Sequence, residues 1–415
     1  MSNHIQFEPI EGAYTDDTPS AVFLNNQLYV TFTDKKNDTH ITLAYPNYQG
    51  KWRTHPIEGV VYSSEALATT VVTEPSFKTS KSLISSKLYI FYKGEDNQNL
   101  FYVHNETPTE SRNWGGGFLQ IVEKVTHRDP PAVKVISAVS VATQCSDQGI
   151  LQNLFLIAFM RSPNLKPALR VVTYAAPLKL NEQAVPVEIE LPHTSLTDPV
   201  STYFNGHLCI AYLYEETTQA KTKTKNDNDQ GKNQANNKNA AKTSKQTTPN
   251  ENNDKGNGPV VQKIGLLMSK KAADPQSWTA NQPTAFAPVD SNKKPIELQG
   301  NIALSAGQKV VWMAFISTEG KLYTTQSFDF KNWSPATEVP VKFDRYSILN
   351  RQDARINKAQ NVVLGTKISG LSQAQDDICR LLVVPTETPL SPQLAKHEVP
   401  HPPFPLLVSI PALQK

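Results

Sequence analysis

The chain has 415 residues, 39% of them hydrophobic and 19% charged, and a formal net charge of +3. Such a length can bury a large core, as one big domain or two ordinary ones. No apolar run approaches the roughly 18 residues that a membrane-spanning helix needs, and no long amphipathic helix is visible. The start, Met1-Ser2-Asn3-His4-Ile5-Gln6-Phe7-Glu8-Pro9, lacks a basic region followed by an apolar one. No secretory signal peptide is therefore expected, which leaves a cytoplasmic protein or one exported without a classical signal.

The first clear element is a hairpin. Leu28-Tyr29-Val30-Thr31-Phe32 is followed by the polar turn Asp34-Lys35-Lys36-Asn37-Asp38, then by Ile41-Thr42-Leu43-Ala44-Tyr45 and Trp52. A stronger copy follows. In Leu88-Tyr89-Ile90-Phe91-Tyr92-Lys93, an extended chain sends Leu88, Ile90 and Tyr92 one way and Tyr89, Phe91 and Lys93 the other. Gly94-Glu95-Asp96-Asn97 supplies turn residues, Leu100-Phe101-Tyr102-Val103 resumes the alternation, and Trp114 follows. The third copy, Leu154–Phe159 with Leu169–Tyr174, has no tryptophan. The fourth pairs Leu208–Tyr212 with Lys263–Met268 and is followed by Trp278. The fifth pairs Val310–Phe315 with Lys321–Thr325 and is followed by Trp333. A degraded sixth copy is Val362–Gly365 with Ile378–Val384.

These cores recur roughly every 50–65 residues once the long insertion is discounted, a period that points to propeller blades. A weaker strand flanks each hairpin, such as Ser20-Ala21-Val22-Phe23 before the first, which would make four strands per unit. The expected fold is all-β: a β-propeller of about five to seven four-stranded blades over residues 1–384. The competing reading is a β-sandwich, or two all-β domains with accidental periodicity.

Residues 217–258 break the pattern. They are dominated by Lys, Asn, Gln and Thr and hold eight Lys against four acidic residues. Such a stretch cannot bury enough apolar surface to offset its ordering entropy and is expected to be disordered. Subtracting its +4 from the chain's +3 leaves a folded remainder near −1, with no basic aromatic face of the kind nucleic-acid binding requires. The insertion reads as a solvated loop, or as a weak tether to an acidic surface. Residues 385–415 hold prolines at 385, 389, 392, 400, 402, 403, 405 and 411 and read as an extended tail. Leu406-Leu407-Val408-Ser409-Ile410 can still supply one strand, which in a propeller sometimes closes the ring by completing the first blade.

Several motifs lack the context their chemistry needs. His397-Glu398-Val399-Pro400-His401 has the letters of a zinc-protease helix, but Pro400, Pro402 and Pro403 forbid a regular helix. Asp227-Asn228-Asp229-Gln230-Gly231 lacks the closing Glu of a calcium loop. Cys145, Cys209 and Cys379 are far apart and read as reduced, mostly buried thiols. No cofactor or metal site is expected.

Ser327-Phe328-Asp329-Phe330-Lys331-Asn332-Trp333-Ser334 resembles a short form of the Asp-box turn of sialidase-like propellers, with Phe330 where Gly is usual. Ser269…Trp278 and Asn113-Trp114 look like looser versions. With the Leu88–Gly94 and Asn99–Tyr102 strands, the chain resembles bacterial and fungal β-propeller lectins over residues 18–340. That resemblance implies glycans as partners, fucose or related sugars bound between blades, and no catalysis. A sugar offers an apolar face to an aromatic ring and hydroxyls to polar neighbours, and several shallow sites on one ring gain by multivalency. The sugar-binding candidates are Trp52, Trp114, Trp278, Trp333, Tyr92 and Tyr102. Their alternative role is to plug the gaps between blades. A propeller scaffold for another protein is the second functional reading. A sialidase-like glycoside hydrolase is the third, though arginines are scarce and two facing carboxylates cannot be paired from sequence.

Overall fold

The computed structural model describes residues 6–339 apart from 16–17, 26, 35–38, 60–61, 64–65, 77–82, 95–97, 111, 124–131, 162–165, 218–259, 270–282 and 308–309, together with 354–365, 378–389 and 406–411. Outside the described residues fall the Lys/Asn-rich insertion, the calcium-like run 227–231, the 397–401 motif and Trp278. Among the described residues there is no helix, and hence none long and apolar enough to cross a membrane.

Strand β1 (Gln6–Pro9) stands apart from its sequence neighbours. The first blade is β2 (Ser20–Leu24), β3 (Gln27–Asp34), β4 (His40–Pro46) and β5 (Trp52–Pro56). The second is β6 (Ala68–Ser76), β7 (Leu83–Lys93), β8 (Leu100–Asn105) and β9 (Gly115–Phe118). The third holds β10 (Lys134–Val135), β11 (Ser140–Cys145), β12 (Leu151–Arg161), β13 (Ala168–Ala175) and β14 (Val187–Ile189). The fourth is β15 (Val200–Phe204), β16 (His207–Thr217), β17 (Val260–Met268) and β18 (Thr284–Phe286). The fifth is β19 (Leu298–Ala306), β20 (Val311–Ser317), β21 (Leu322–Ser327) and β22 (Thr337–Val339). The last sheet is β23 (Ala354–Gly365), β24 (Ile378–Pro389), β25 (Leu406–Pro411) and β1. All pairings within the sheets are antiparallel.

The first five hairpins read from the sequence are each the middle pair of one sheet, and the sixth is the first pair, β23 and β24, of the last sheet. The first strands β2, β6, β11, β15, β19 and β23 touch one another in succession, and β23 touches β2, so the six sheets close a ring around one axis. The two-residue alternation explains the packing. Leu88, Ile90 and Tyr92 join Leu43, Ile41 and Val22 in the core between the first two blades. Tyr89, Phe91 and Leu100, on the opposite face, join Leu154, Leu156 and Met160 in the core between the second and third. Phe155 and Ile157 then face Ile210 and Tyr212 of the fourth blade, whose Ala211 and Leu213 face Met313 and Phe315 of the fifth. The second, third and fourth blades are thus buried on both faces, at about 1.5–3 kcal/mol for each fully buried aliphatic or aromatic residue.

The ring closes at its last sheet. The first blade already has four strands, whereas β23, β24 and β25 lack an outer one. The N-terminal β1 supplies it, pairing Gln6 with Ser409 and Pro9 with Leu406. The late strand therefore completes its own sheet and not the first blade.

Candidate functional site

Four of the blades turn from third to fourth strand at a polar residue. In the fifth blade Asp329 organises the turn. Its Oδ1 accepts the Ser327 hydroxyl at 3.1 Å and the N–H groups of Lys331 and Asn332 at 2.9 and 2.7 Å. Its Oδ2 accepts Asn332 Nδ2–H at 2.7 Å. The backbone donors from Asn332 and Lys331 hold the Asp329 carboxyl well below the usual carboxylate range, because they stabilise the charged form. In the first blade Asn47 Oδ1 accepts the N–H of Gln49 and of Lys51. In the second, Asn105 Oδ1 accepts Thr107 N–H while its Nδ2 donates to Arg112 O. In the fourth, Ser269 Oγ accepts Leu208 N–H at 2.9 Å.

In the first, second and fifth blades this turn delivers a half-buried tryptophan near the start of the outermost strand, whereas the turn of the third blade holds none. Trp52 packs on the Val30, Phe32 and Ala44 side of the first blade. Trp114 packs against the core between the first two blades, on which Tyr45 also packs. Trp333 stacks on Phe286 with centroids 5.6 Å apart and meets Phe330 edge-on at 5.6 Å. The indole N–H groups of Trp114 and Trp333 find no hydrogen-bond partner. Of the candidates, Trp114 and Tyr92 share one junction core but lie at opposite ends of their blade: Trp114 precedes Gly115, the partner of His104, whereas Tyr92 pairs with Phe101, the partner of Phe118. Tyr92 stacks on Phe101 at 5.6 Å, and burial pushes its hydroxyl up to about 12. Tyr45 Oη–H reaches across the junction to Thr109 O at 3.4 Å.

Tyr102 lies on the opposite face of the second blade, in one aromatic cluster with Tyr89 and His104. Burial raises its hydroxyl and lowers the His104 imidazole. Its ring covers Gly117, its cross-strand partner, as the His104 ring covers Gly115. A Cβ on Gly115 would come within 2.7 Å of that imidazole. The Gly115-Gly116-Gly117 run is plain in the sequence. Its meaning as a bare strand beneath two rings needs the register.

The axis is lined differently. A channel of about 390 Å³ runs between the first strands, walled by Ser20, Thr69, Ser140, Thr143, Ser201 and Ser305 with Ala and Val between. Two of its contacts latch neighbouring blades. Ser20 Oγ accepts Thr69 N–H at 3.0 Å, and Ser140 Oγ accepts Ser201 N–H at 2.9 Å. Among the described residues, Glu216, Glu319 and Asp329 are the carboxyls that depart from their usual range, all downward. A general acid needs the opposite shift. Cys145 lines the channel and Cys209 is buried; both are free thiols pushed up by burial.

A cleft of about 950 Å³ lies at the end of the third blade. Its wall runs through Glu188, Glu190, His193, Ser195 and Asp198, with Phe159, Leu169 and Leu196 beneath. In an antiparallel blade, the residue before each first strand and the end of each fourth strand share one end. The cleft is therefore on the face opposite the tryptophan turns. Val187-Glu188-Ile189-Glu190, which alternates apolar and acidic residues, was its one local signal in the sequence.

The chain is a β-propeller. Compared with protein-family models and with curated sequences, it matches none. Among solved structures it is similar to a mutant of the Aleuria aurantia lectin in complex with alpha-methyl-L-fucoside, at 10% identity, TM-score 0.46 and 90% coverage of both chains. It is similar to a Trypanosoma rangeli sialidase in complex with the inhibitor DANA, at 10% identity and TM-score 0.48, covering 96% of this propeller and 55% of that chain. An alpha-L-arabinofuranosidase from Clostridium thermocellum gives 11% identity and TM-score 0.40 over 80% and 96%. At such identities no residue role passes from those proteins to this propeller.

Proposed function

We propose that this propeller is a non-catalytic carbohydrate-binding protein, with shallow sites at its blade junctions. One observation carries the reading: half-buried tryptophans recur at equivalent turns of three blades, each with one side anchored in a buried core. A ring so anchored presents an apolar edge or face at little cost in side-chain entropy. At the Trp114 turn, Tyr45 packs on the same core and its hydroxyl donates to Thr109 O, and His55 meets Tyr45 edge-on at 5.6 Å. A sugar stacked on the indole would find hydroxyl and imidazole partners there. Repetition around the ring would raise avidity without new contacts. Trp278 and Tyr102 extend the same proposal to the fourth blade and to the Gly-floored face of the second.

The test is a glycan array probed with the wild type, Trp114→Ala and Trp333→Ala. Because the indoles also fill junction cores, Trp114→Phe is included to keep most of the packing. A defined sugar bound by the wild type, and weakened about tenfold or more in variants that keep the wild-type unfolding midpoint, is the expected result. Silence across the array, with the Ala variants unfolding early, would make the tryptophans blade plugs.

A scaffold role for another protein is the second reading, favoured by the cleft on the opposite face.

A further inference from the structure

We propose that the axial channel is a binding site of its own, for an uncharged open-chain polyol such as a sugar alcohol. It uses none of the tryptophan turns and does not depend on them.

Shape and charge narrow the ligand first. The first strands of five blades line the channel, and along β11 the lining runs from Val139 to Cys145. At about 3.3 Å per residue that wall is roughly 20 Å long. The volume, about 390 Å³, falls within the roughly 300–1,000 Å³ of small-molecule sites. So long a site of so small a volume suits a chain better than a globular group. Among the described residues that line it, none is Asp, Glu, Lys, Arg or His. A charged ligand would leave water for a wall that offers no counter-ion. The lining therefore selects a neutral one.

The hydroxyls narrow it further, because the blades do not use all of their hydrogen-bonding capacity. Ser20 Oγ accepts Thr69 N–H at 3.0 Å, but its own proton has no partner among the described residues. Ser140 Oγ and Ser201 Oγ lie 2.8 Å apart, and Ser140 Oγ also accepts Ser201 N–H. Whichever of these two hydroxyls donates to the other, one proton is left over. The hydroxyls of Thr70 and Thr202, which also line the channel, have no partner among the described residues. Such a wall suits a ligand that gives and takes a hydrogen bond at each carbon, as a polyol does. An apolar ligand would leave the hydroxyls unpaired, at a cost. Ala21, Ala68 and Val141 stand between the hydroxyls and meet the C–H side of the same ligand. Water would satisfy the hydroxyls but gain nothing from those methyl groups.

The probe is sorbitol, titrated against the full chain and followed by saturation-transfer NMR. Gluconate, a chain of the same length that ends in a carboxylate, is the charged control. Saturable transfer to sorbitol is expected, with little to gluconate. A second readout is the free Cys145 thiol, which lines the channel while Cys209 is buried. Bound sorbitol should slow alkylation of the Cys145 peptide by iodoacetamide, read by mass spectrometry. The double variant Thr70→Val, Thr202→Val keeps the side-chain shapes and removes two hydroxyls on which no described contact depends. It should lose about tenfold in affinity, at about 0.5–1.5 kcal/mol for each hydrogen bond. Thr284→Val, an exposed hydroxyl on an outer strand, should lose nothing. Thermal unfolding checks each variant, and Thr202→Val alone serves if the double variant is unstable. Absence of saturable transfer, which leaves water in the channel, would overturn the proposal. So would equal binding of gluconate, unslowed alkylation of Cys145 at saturation, or wild-type affinity in the folded valine variant. The glycan array reads the tryptophan turns, so either result can fail without the other.

Discussion

Phe330 has a left-handed backbone, φ 62°, and a side chain only 2% exposed. The turn asks for glycine; the core asks for an aromatic ring against Trp333. Magnitudes decide between them. Relief of the backbone by glycine is worth about 1 kcal/mol, whereas deleting a buried Phe costs about 3–5 kcal/mol. Phe330→Gly should therefore destabilise the propeller by about 2–4 kcal/mol, read by denaturant unfolding, and an unchanged midpoint would show the ring to be idle. The neighbouring Asp329 gives the turn a pH dependence. Its folded carboxyl is held below its unfolded value, so the stabilisation is full above about pH 4 and fades as the pH falls further. Asp329→Asn keeps part of the turn's geometry without the charge. The gap in unfolding midpoint between wild type and Asp329→Asn should be wide at pH 6 and shrink at pH 3; a gap that stays constant would remove the charge from the account.

At the scale of elements, the outer strand of the second blade makes a graded prediction. A Cβ on Gly116 would lie 2.4 Å from Tyr102 O, a backbone atom that cannot move aside. On Gly117 it would meet the Tyr102 ring at 3.5 Å, ordinary contact. Gly116→Ala should cost about 1–3 kcal/mol as overpacking does, and Gly117→Ala should be neutral or slightly stabilising; equal melting temperatures for the two would mean β9 shifts freely. The two middle strands of the first five blades were legible in the sequence, because both their faces are buried and an alternation such as that of Leu88–Lys93 writes two cores at once. The outer strands were not. Val187–Ile189 and Thr337–Val339 are three residues long and half exposed, too short to show a period. The first strands hide for another reason: Ser140 and Ser201 spend their hydroxyls on each other across a blade junction, and a serine-rich run reads as loop. The candidate aromatics were legible as a recurring set, but their partition was not. Tyr92 and Tyr102 sit on neighbouring strands yet face different junctions, which only cross-strand register assigns.

At the scale of the whole molecule, the least legible features join residues far apart in the chain. The cleft gathers Thr18, Ala66, Ser137 and Asp198 from four turns that precede successive first strands, and no window of sequence contains them. Ring closure is the same kind of fact. Gln6-Phe7-Glu8-Pro9 carries almost no strand signal, yet it pairs residue for residue with Leu406–Ser409. A ring resists opening only if its last sheet is held, and β1 is what covers the outer edge of β25. An uncovered edge offers unpaired N–H and C=O groups to water, proteases and other chains. Removing residues 1–9 should thus cost a few kcal/mol, at about 1 kcal/mol for each lost ladder hydrogen bond. It should also speed proteolytic cleavage after residue 389 more than cleavage within the first five blades. A synthetic peptide of residues 1–12 added to the truncated chain should restore part of both. The rescue separates an edge-covering strand from a dispensable terminus: if truncation leaves the midpoint and cleavage pattern unchanged, the ring is held by its junction cores alone.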